Sequence, residues 1–250
     1  MFDEASLAVQ AALDAGAQYA DARVVFSKAE TINVQNQNLS QLDRSEHAGV
    51  GVRALIGSSW GFAATGDLDQ ASIRRAGEQA AAISRASGLV PGPPMEFADV
   101  PVDDAFWETP FDEDPFAVPL SEKVDMLVNV TKTLQGVEGV AIATGTLTFW
   151  DTNKWFVSSQ GHRVHQHLVE SGGGYDATAI GEAETQRRSY PQSFGQYETG
   201  GYETVRAWDY EGNAQRIGEE AVALLTADEM DERETNLILE GSQLALQIHE

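Results

Sequence analysis

The sequence predicts an α+β fold in which helices pack on antiparallel meander sheets. Three observations predict it. Several segments repeat apolar residues every three or four positions, which is the period of one helix face. Between them lie groups of short Val-, Ile- and Thr-rich runs parted by tight polar or glycine turns, the pattern of antiparallel strands. Strands follow strands and helices sit at the ends of each group, whereas a wound parallel sheet alternates one strand with one helix.

Taken in order, residues 4–15 form a first helix, with Leu7, Ala8, Ala11 and Ala12 on its apolar face and Gly16 as its stop. Segments 22–26, 30–34, 49–56 and 60–64 then read as strands, and Gly57-Ser58-Ser59 as the hairpin turn between the last two. Asp67 is placed to cap the next helix, with Gln70 completing a capping-box arrangement. Ile73, Ala76, Ala80 and Ile83 make its stripe, and Gly88 ends it. His47 falls in the loop before the third strand.

Residues 91–119 differ from everything around them. They hold seven of the eight prolines, eight acidic residues and no Lys or Arg. Proline removes backbone donors and blocks regular pairing, so an extended connector is expected. Phe97, Phe106, Trp107, Phe111 and Phe116 give it apolar area with which to strap along a surface.

A further helix opens at Ser121, with Val124, Leu127, Thr131 and Leu134 on one face and Gly136 at its end. Strands are expected at 140–150, 154–159, 163–170 and 175–181, with turns at Asp151-Thr152-Asn153 and Gln160-Gly161. Residues 186–210 read as loop with short strands, and 213–227 as a helix carrying Ile217, Ala221 and Leu224. A charged turn at 228–234, a short strand at 236–239 and a helix from Ser242 finish the sequence. The division expected is a helix-plus-sheet unit at 1–90, the connector at 91–119, a second such unit at 120–211, and a closing segment at 212–250.

Composition narrows the function. The net charge is −23, and the only adjacent basic pairs are Arg74-Arg75 and Arg187-Arg188. Neutralising phosphates needs clustered Lys and Arg, so direct nucleic-acid binding is not expected. Acidity serves solubility first, and a preference for cationic partners second. There is no cysteine, no apolar run of membrane length, and no basic-then-apolar leader at the N-terminus. A cytoplasmic location without membrane contact follows as the expectation.

The sharpest chemical signal is His249-Glu250. On a helix, such a step sets an imidazole on a zinc ion and turns the next carboxylate toward the metal-bound water as general base. A second His one turn later would supply another ligand, and the sequence stops before that turn. The segment from Ser242 has good helix formers and no stop signal, so the expectation is a helix interrupted within its motif.

Other stretches give the dipeptide a context. Tyr19-Ala20-Asp21-Ala22-Arg23, Gly49-Val50-Gly51-Val52-Arg53 followed by Trp60-Gly61-Phe62-Ala63-Ala64-Thr65, and Ser158-Ser159-Gln160-Gly161 resemble the N-terminal region of the TldD/PmbA peptidases. The approach from Leu239 to His249-Glu250 is similar to that family's His-Glu-x-x-x-His zinc motif, which the TldD-type subunit carries and the PmbA/TldE-type partner lacks. The resemblance implies a zinc metallopeptidase in which His249 is a metal ligand and Glu250 the catalytic base. It implies peptides or unfolded proteins as substrates and a PmbA/TldE-like subunit as partner. The family's further ligands, a second His and a Cys, are not in these 250 residues, so this chain alone is expected to be inactive. A substrate-guiding or assembly module without chemistry of its own is the alternative, its meander offering a sheet edge to extended peptides. The family's label as a modulator of DNA gyrase is read as indirect, given the charge.

Three other groups of residues invite a chemical reading. His165 and His167 share a strand face, with His162 in the preceding turn, but no carboxylate stands at a ligating spacing and Glu170 points the other way. An exposed polar face is expected there. Gly172-Gly173-Gly174 lacks the Lys-Ser/Thr of a phosphate loop and reads as a flexible connection between strands. Ser158-Ser159 near His162 has no acid placed to orient a base.

Overall fold

The structure, a computed structural model, describes residues 1–250 except 91, 94, 99, 194 and 250, with backbone alone at 242 and 246. Helix α1 (Phe2–Asp14) leads into three strands, β1 (Tyr19–Gln35), β2 (Asn38–Ile56) and β3 (Ser59–Thr65), and then α2 (Gln70–Ser87). The connector contributes β4 (Asp104–Glu108) and leads to α3 (Leu120–Gln135). Next come β5 (Val140–Ser158), β6 (Arg163–Ile180), β7 (Thr185–Tyr190) and β8 (Gln196–Thr199). Helices α4 (Tyr202–Ala207), α5 (Tyr210–Ala223) and α6 (Gly241–His249) complete the order.

The eight strands make one sheet, ordered β3-β2-β1-β5-β6-β4, with β7 and β8 also paired to β6. Every pairing is antiparallel except β4 with β6. Strands β1, β2, β5 and β6 run 17 to 19 residues each, so the sheet is far longer than a typical strand.

Alternation along β1 explains where the helices go. Ala20, Ala22 and Val24 enter one buried cluster with α1 and α2, while Ile32 and Val34 enter another with α3 and α5. All five positions are even-numbered and therefore lie on one face of the strand. Two helical layers thus cover the two ends of the same sheet face. The opposite face carries no helix among the described residues.

Several sequence expectations are corrected here. Asp151-Thr152-Asn153 is not a turn but the middle of β5, paired with β1 and β6 on both sides. The glycine triplet is likewise inside β6. A Cβ on Gly172 would lie 2.0 Å from the Tyr197 ring, and one on Gly173 would lie 2.2 Å from the Thr146 carbonyl oxygen. These glycines admit close neighbours rather than a flexible link. Segments 22–26 and 30–34 fuse into β1, and β2 begins at Asn38, well before residue 49, so His47 lies in a strand. The α2 cap is Asp69, whose carboxylate accepts from the amides of Ala71 and Ser72, and not Asp67. Residues 236–239 form no strand.

Candidate functional site

Helix α6 ends at His249, which is exposed in its last turn. Glu250, the other residue of the metal motif, lies outside the described residues. Among the described residues no three His, Cys, Asp or Glu side chains stand together to hold a metal ion. The described part of the chain therefore does not fit a resident metal by itself.

Histidines do gather in the middle of the sheet, between the two helical layers. The register sets Asn153 opposite His167 and Trp155 opposite His165, which makes Asp151 a diagonal neighbour of His167. His167 Nε2 is 3.0 Å from an Asp151 carboxylate oxygen, and His165 Nε2 is 3.0 Å from the Asn153 side-chain oxygen. On the other side, β4 brings Glu108 to 3.8 Å from His167 Nδ1. Sequence spacing alone places no carboxylate near this pair; the sheet supplies two, Asp151 from the preceding strand and Glu108 from the distant β4.

Aromatic rings enclose the same histidines. Trp155 stacks on His165 at 4.4 Å between centroids, and Phe106 approaches it from β4 at 5.0 Å. Burial first, and then the nearby charge of His167, hold the His165 imidazole below its ordinary value of 6.5. With one nitrogen of each ring engaged by Asn153 or Asp151, the pair behaves as a hydrogen-bonded strand feature rather than an open ligand set. Beside it a cavity of ≈ 300 Å³ is lined by Phe26, Lys28, Glu46, Asp151 and Asn153. His162 has a separate task, its Nδ1 accepting from the Asp103 amide at 3.3 Å. Ser159 Oγ accepts from the Ala20 amide, so neither serine of the turn meets His162 as a nucleophile–base pair.

One edge of the sheet stays open. Strand β3 pairs with β2 only from Val50 to Ile56. Among the described residues, the outer edge of β2 over residues 38–49 has no partner, and Leu39 and Leu42 on it are exposed. A long unpaired edge of this kind is a template for another extended chain.

Known proteins match part of the sequence and share this architecture. Residues 20–84 match PmbA/TldA metallopeptidase domain 1. A protein of Methanothermobacter thermautotrophicus named a metalloprotease is 26% identical over 234 residues, which is 93% of this chain and 49% of that relative. Two solved structures titled putative modulators of DNA gyrase share the fold. The one from Thermotoga maritima has a TM-score of 0.72 at 16% identity, covering 92% of this chain and 49% of its own. The one from Bacteroides thetaiotaomicron has a TM-score of 0.67 at 14% identity, covering 88% and 48%. TldE from Thermococcus kodakarensis follows with a TM-score of 0.55 at 15% identity, covering 88% and 46%. The chain thus carries a domain similar to the first domain of PmbA/TldA metallopeptidases. It is similar to the N-terminal portion of TldD/PmbA proteins and spans about half the length of the relatives it matches.

Proposed function

We propose that this chain is the N-terminal portion of a TldD-type, zinc-dependent metallopeptidase acting on peptides or unfolded proteins, with a PmbA/TldE-like subunit as partner. The observation that carries the reading is the domain 1 match at 20–84 together with His249 at the tip of α6 and the Glu250 that follows it in sequence. His249 is assigned as a metal ligand and Glu250 as the proton-accepting carboxylate. Zinc, when bound, supplies a polarised water or carbonyl; one imidazole cannot hold it in a catalytic geometry, which takes three protein ligands. No described helix is long and apolar enough to cross a membrane, and a cytoplasmic location belongs to the same proposal. The charge of −23 supports an indirect meaning for the gyrase titles of the structural relatives.

The experiment is to read the codons that follow Glu250 in the parent gene, then assay the longer polypeptide with and without Glu250→Gln. A His within the next helical turn and a peptidase activity abolished by the substitution are expected. Undiminished activity in the Gln variant removes Glu250 from the chemistry.

A second reading, a guiding or assembly module, is favoured by the unpaired β2 edge over residues 38–49. An extended peptide adding there would gain main-chain hydrogen bonds without sequence preference. Proline placed at alternate positions of that edge separates the readings. Loss of peptide capture in a chain that hydrolyses no short substrate supports the module without chemistry of its own, and hydrolysis of short substrates contradicts it.

A further inference from the structure

The sequence blocks at 19–23, 49–53, 60–65 and 158–161 converge on one spot that the peptidase reading leaves unused. Asp21 of β1 stands directly opposite Arg53 of β2 and Ser158 of β5. Tyr19 and Arg23, two residues to either side, share its face, which is the one without helices. Asp21 is 0% exposed, yet it carries a carboxylate. It accepts from the Tyr19 hydroxyl at 3.1 Å, from Arg23 Nη1 at 2.6 Å, and from Arg53 Nη2 and Nε at 2.6 and 3.1 Å. Burial first, and then Asp21 itself, push the Tyr19 phenol up to about 12, so it stays a donor at neutral pH.

These bonds account for the aspartate but not for the rest of the cluster. A guanidinium has five N–H groups, so both arginines keep donors that Asp21 does not use. Their side chains are 40% and 45% exposed, Arg23 lying over the Phe156 ring and Arg53 over Trp60. Ser158, across β1 from Arg53 and next to Asp21, is 4% exposed, and among the described residues its Oγ has no hydrogen-bond partner. A buried hydroxyl without a partner costs about 1–3 kcal/mol, and a purely structural ion pair gives no reason for that cost.

We propose that Arg23, Arg53 and Ser158 form a binding site for a single carboxylate carried on a polypeptide. Two guanidiniums and the one carboxylate of Asp21 leave a single positive charge, which matches a monoanion better than a phosphate dianion. The net charge of −23 further disfavours polyanions at long range. Planar guanidiniums suit a carboxylate geometrically, and Asp21 and the two rings hold them in place before the ligand arrives. Phe62, directly across from Arg53 and 59% exposed, offers an apolar surface to the side chain next to that carboxylate. Its ring reaches over Gly51, where an added Cβ would lie 3.2 Å from the ring carbons. The carboxylate comes either from the C-terminal end of a polypeptide or from an Asp or Glu side chain, and the test separates the two.

The ¹⁵N-labelled protein is titrated with N-acetyl-Ala-Leu as free acid, the same peptide as amide, and N-acetyl-Glu-Leu amide, reading the Arg23 and Arg53 Nε–H resonances. Shifts with the free acid alone identify a C-terminal carboxylate, and shifts with both acids identify any carboxylate. Ser158→Ala is expected to weaken the binding acid several-fold while raising the thermal midpoint of the free protein, since the unpartnered hydroxyl is gone, and Arg23→Gln to weaken it about tenfold, one step on the affinity scale. If Arg23→Gln does not fold, Ser158→Ala still decides. Equal shifts with acid and amide, no shift with any peptide, or unchanged affinity in Ser158→Ala overturns the site.

Discussion

Beneath α1 and α2 the sheet is packed with alanine, valine and glycine, whereas beneath α3 and α5 it is packed with leucine and aromatic rings around a buried ion pair. At the first end backbones nearly touch. A Cβ on Gly61 would fall 2.0 Å from the Ala80 carbonyl oxygen and 2.3 Å from the Ser84 nitrogen, and one on Gly77 would fall 2.5 Å from the Ala8 carbonyl oxygen. At the second end Lys123 and Glu30, both 0% exposed, bond at 2.6 Å, with the ammonium 4.5 Å from the Phe149 ring centroid. Arg44 adds a second cation to Glu30, and the Pro115 carbonyl accepts from Lys123. The first end tolerates no added volume; the second tolerates neither lost volume nor a lost charge.

Substitutions can break this contrast. Phe149→Ala is expected to have the largest effect, about 4 kcal/mol by urea unfolding, because it leaves a cavity and removes the ring beside Lys123. Gly61→Val is expected to cost about 3 kcal/mol, since α2 must lift from β3 to admit the side chain. An unchanged midpoint there would mean that the layer is loosely seated. Lys123→Met is expected to cost about 2 kcal/mol, less than the usual 3–5 for breaking a buried pair, because Arg44 still faces Glu30. Combining it with Glu30→Gln should cost less than the sum of the two single changes, as coupled partners do.

The pH responses are smaller and also differ by region. In the connector, bonding to Arg206 holds the Glu113 carboxyl below its ordinary 4.5. Its contribution is therefore complete above 4.5 and is lost as the pH falls through the lowered folded value. In Arg206→Ala that step should vanish from an acid titration of stability. In the central trough, His165 is held below 6.5 by burial and by His167, so the fold prefers it neutral. Stability is then full above 6.5 and declines as pH falls from there toward the lowered folded value. His165→Asn should flatten that shallow decline in thermal melts between neutral and mildly acidic pH.

Legibility in the sequence follows the same division. Ile73, Ala76 and Ala80 of α2 lie on a regular apolar stripe, so the helix and its buried face could be read directly. The long strands could not. Lys28 interrupts β1, and Asp151 and Asn153 interrupt β5, because a polar row crosses the sheet where neither helical layer covers it, while Glu30 breaks the apolar pattern of β1 because it pairs with Lys123 beneath α3. Short-range patterns read such a row as a turn. The histidine cluster was hidden for a related reason: Asp151 reaches His167 through the register of the β5–β6 hairpin and Glu108 through that of the distant β4, and periodicity encodes neither. His249-Glu250 was legible only as a motif, and the fold leaves His249 exposed at a helix end with no ligating cluster about it among the described residues.

The most direct test is metal content. The 250-residue protein is equilibrated with zinc, dialysed exhaustively, and assayed for bound metal beside a His165→Asn/His167→Gln variant. Far less than one zinc per molecule is expected in both, because the strand histidines are already engaged and His249 is a single ligand. One tightly held zinc per molecule, lost in the double variant, would contradict this and move the metal chemistry to the middle of the sheet.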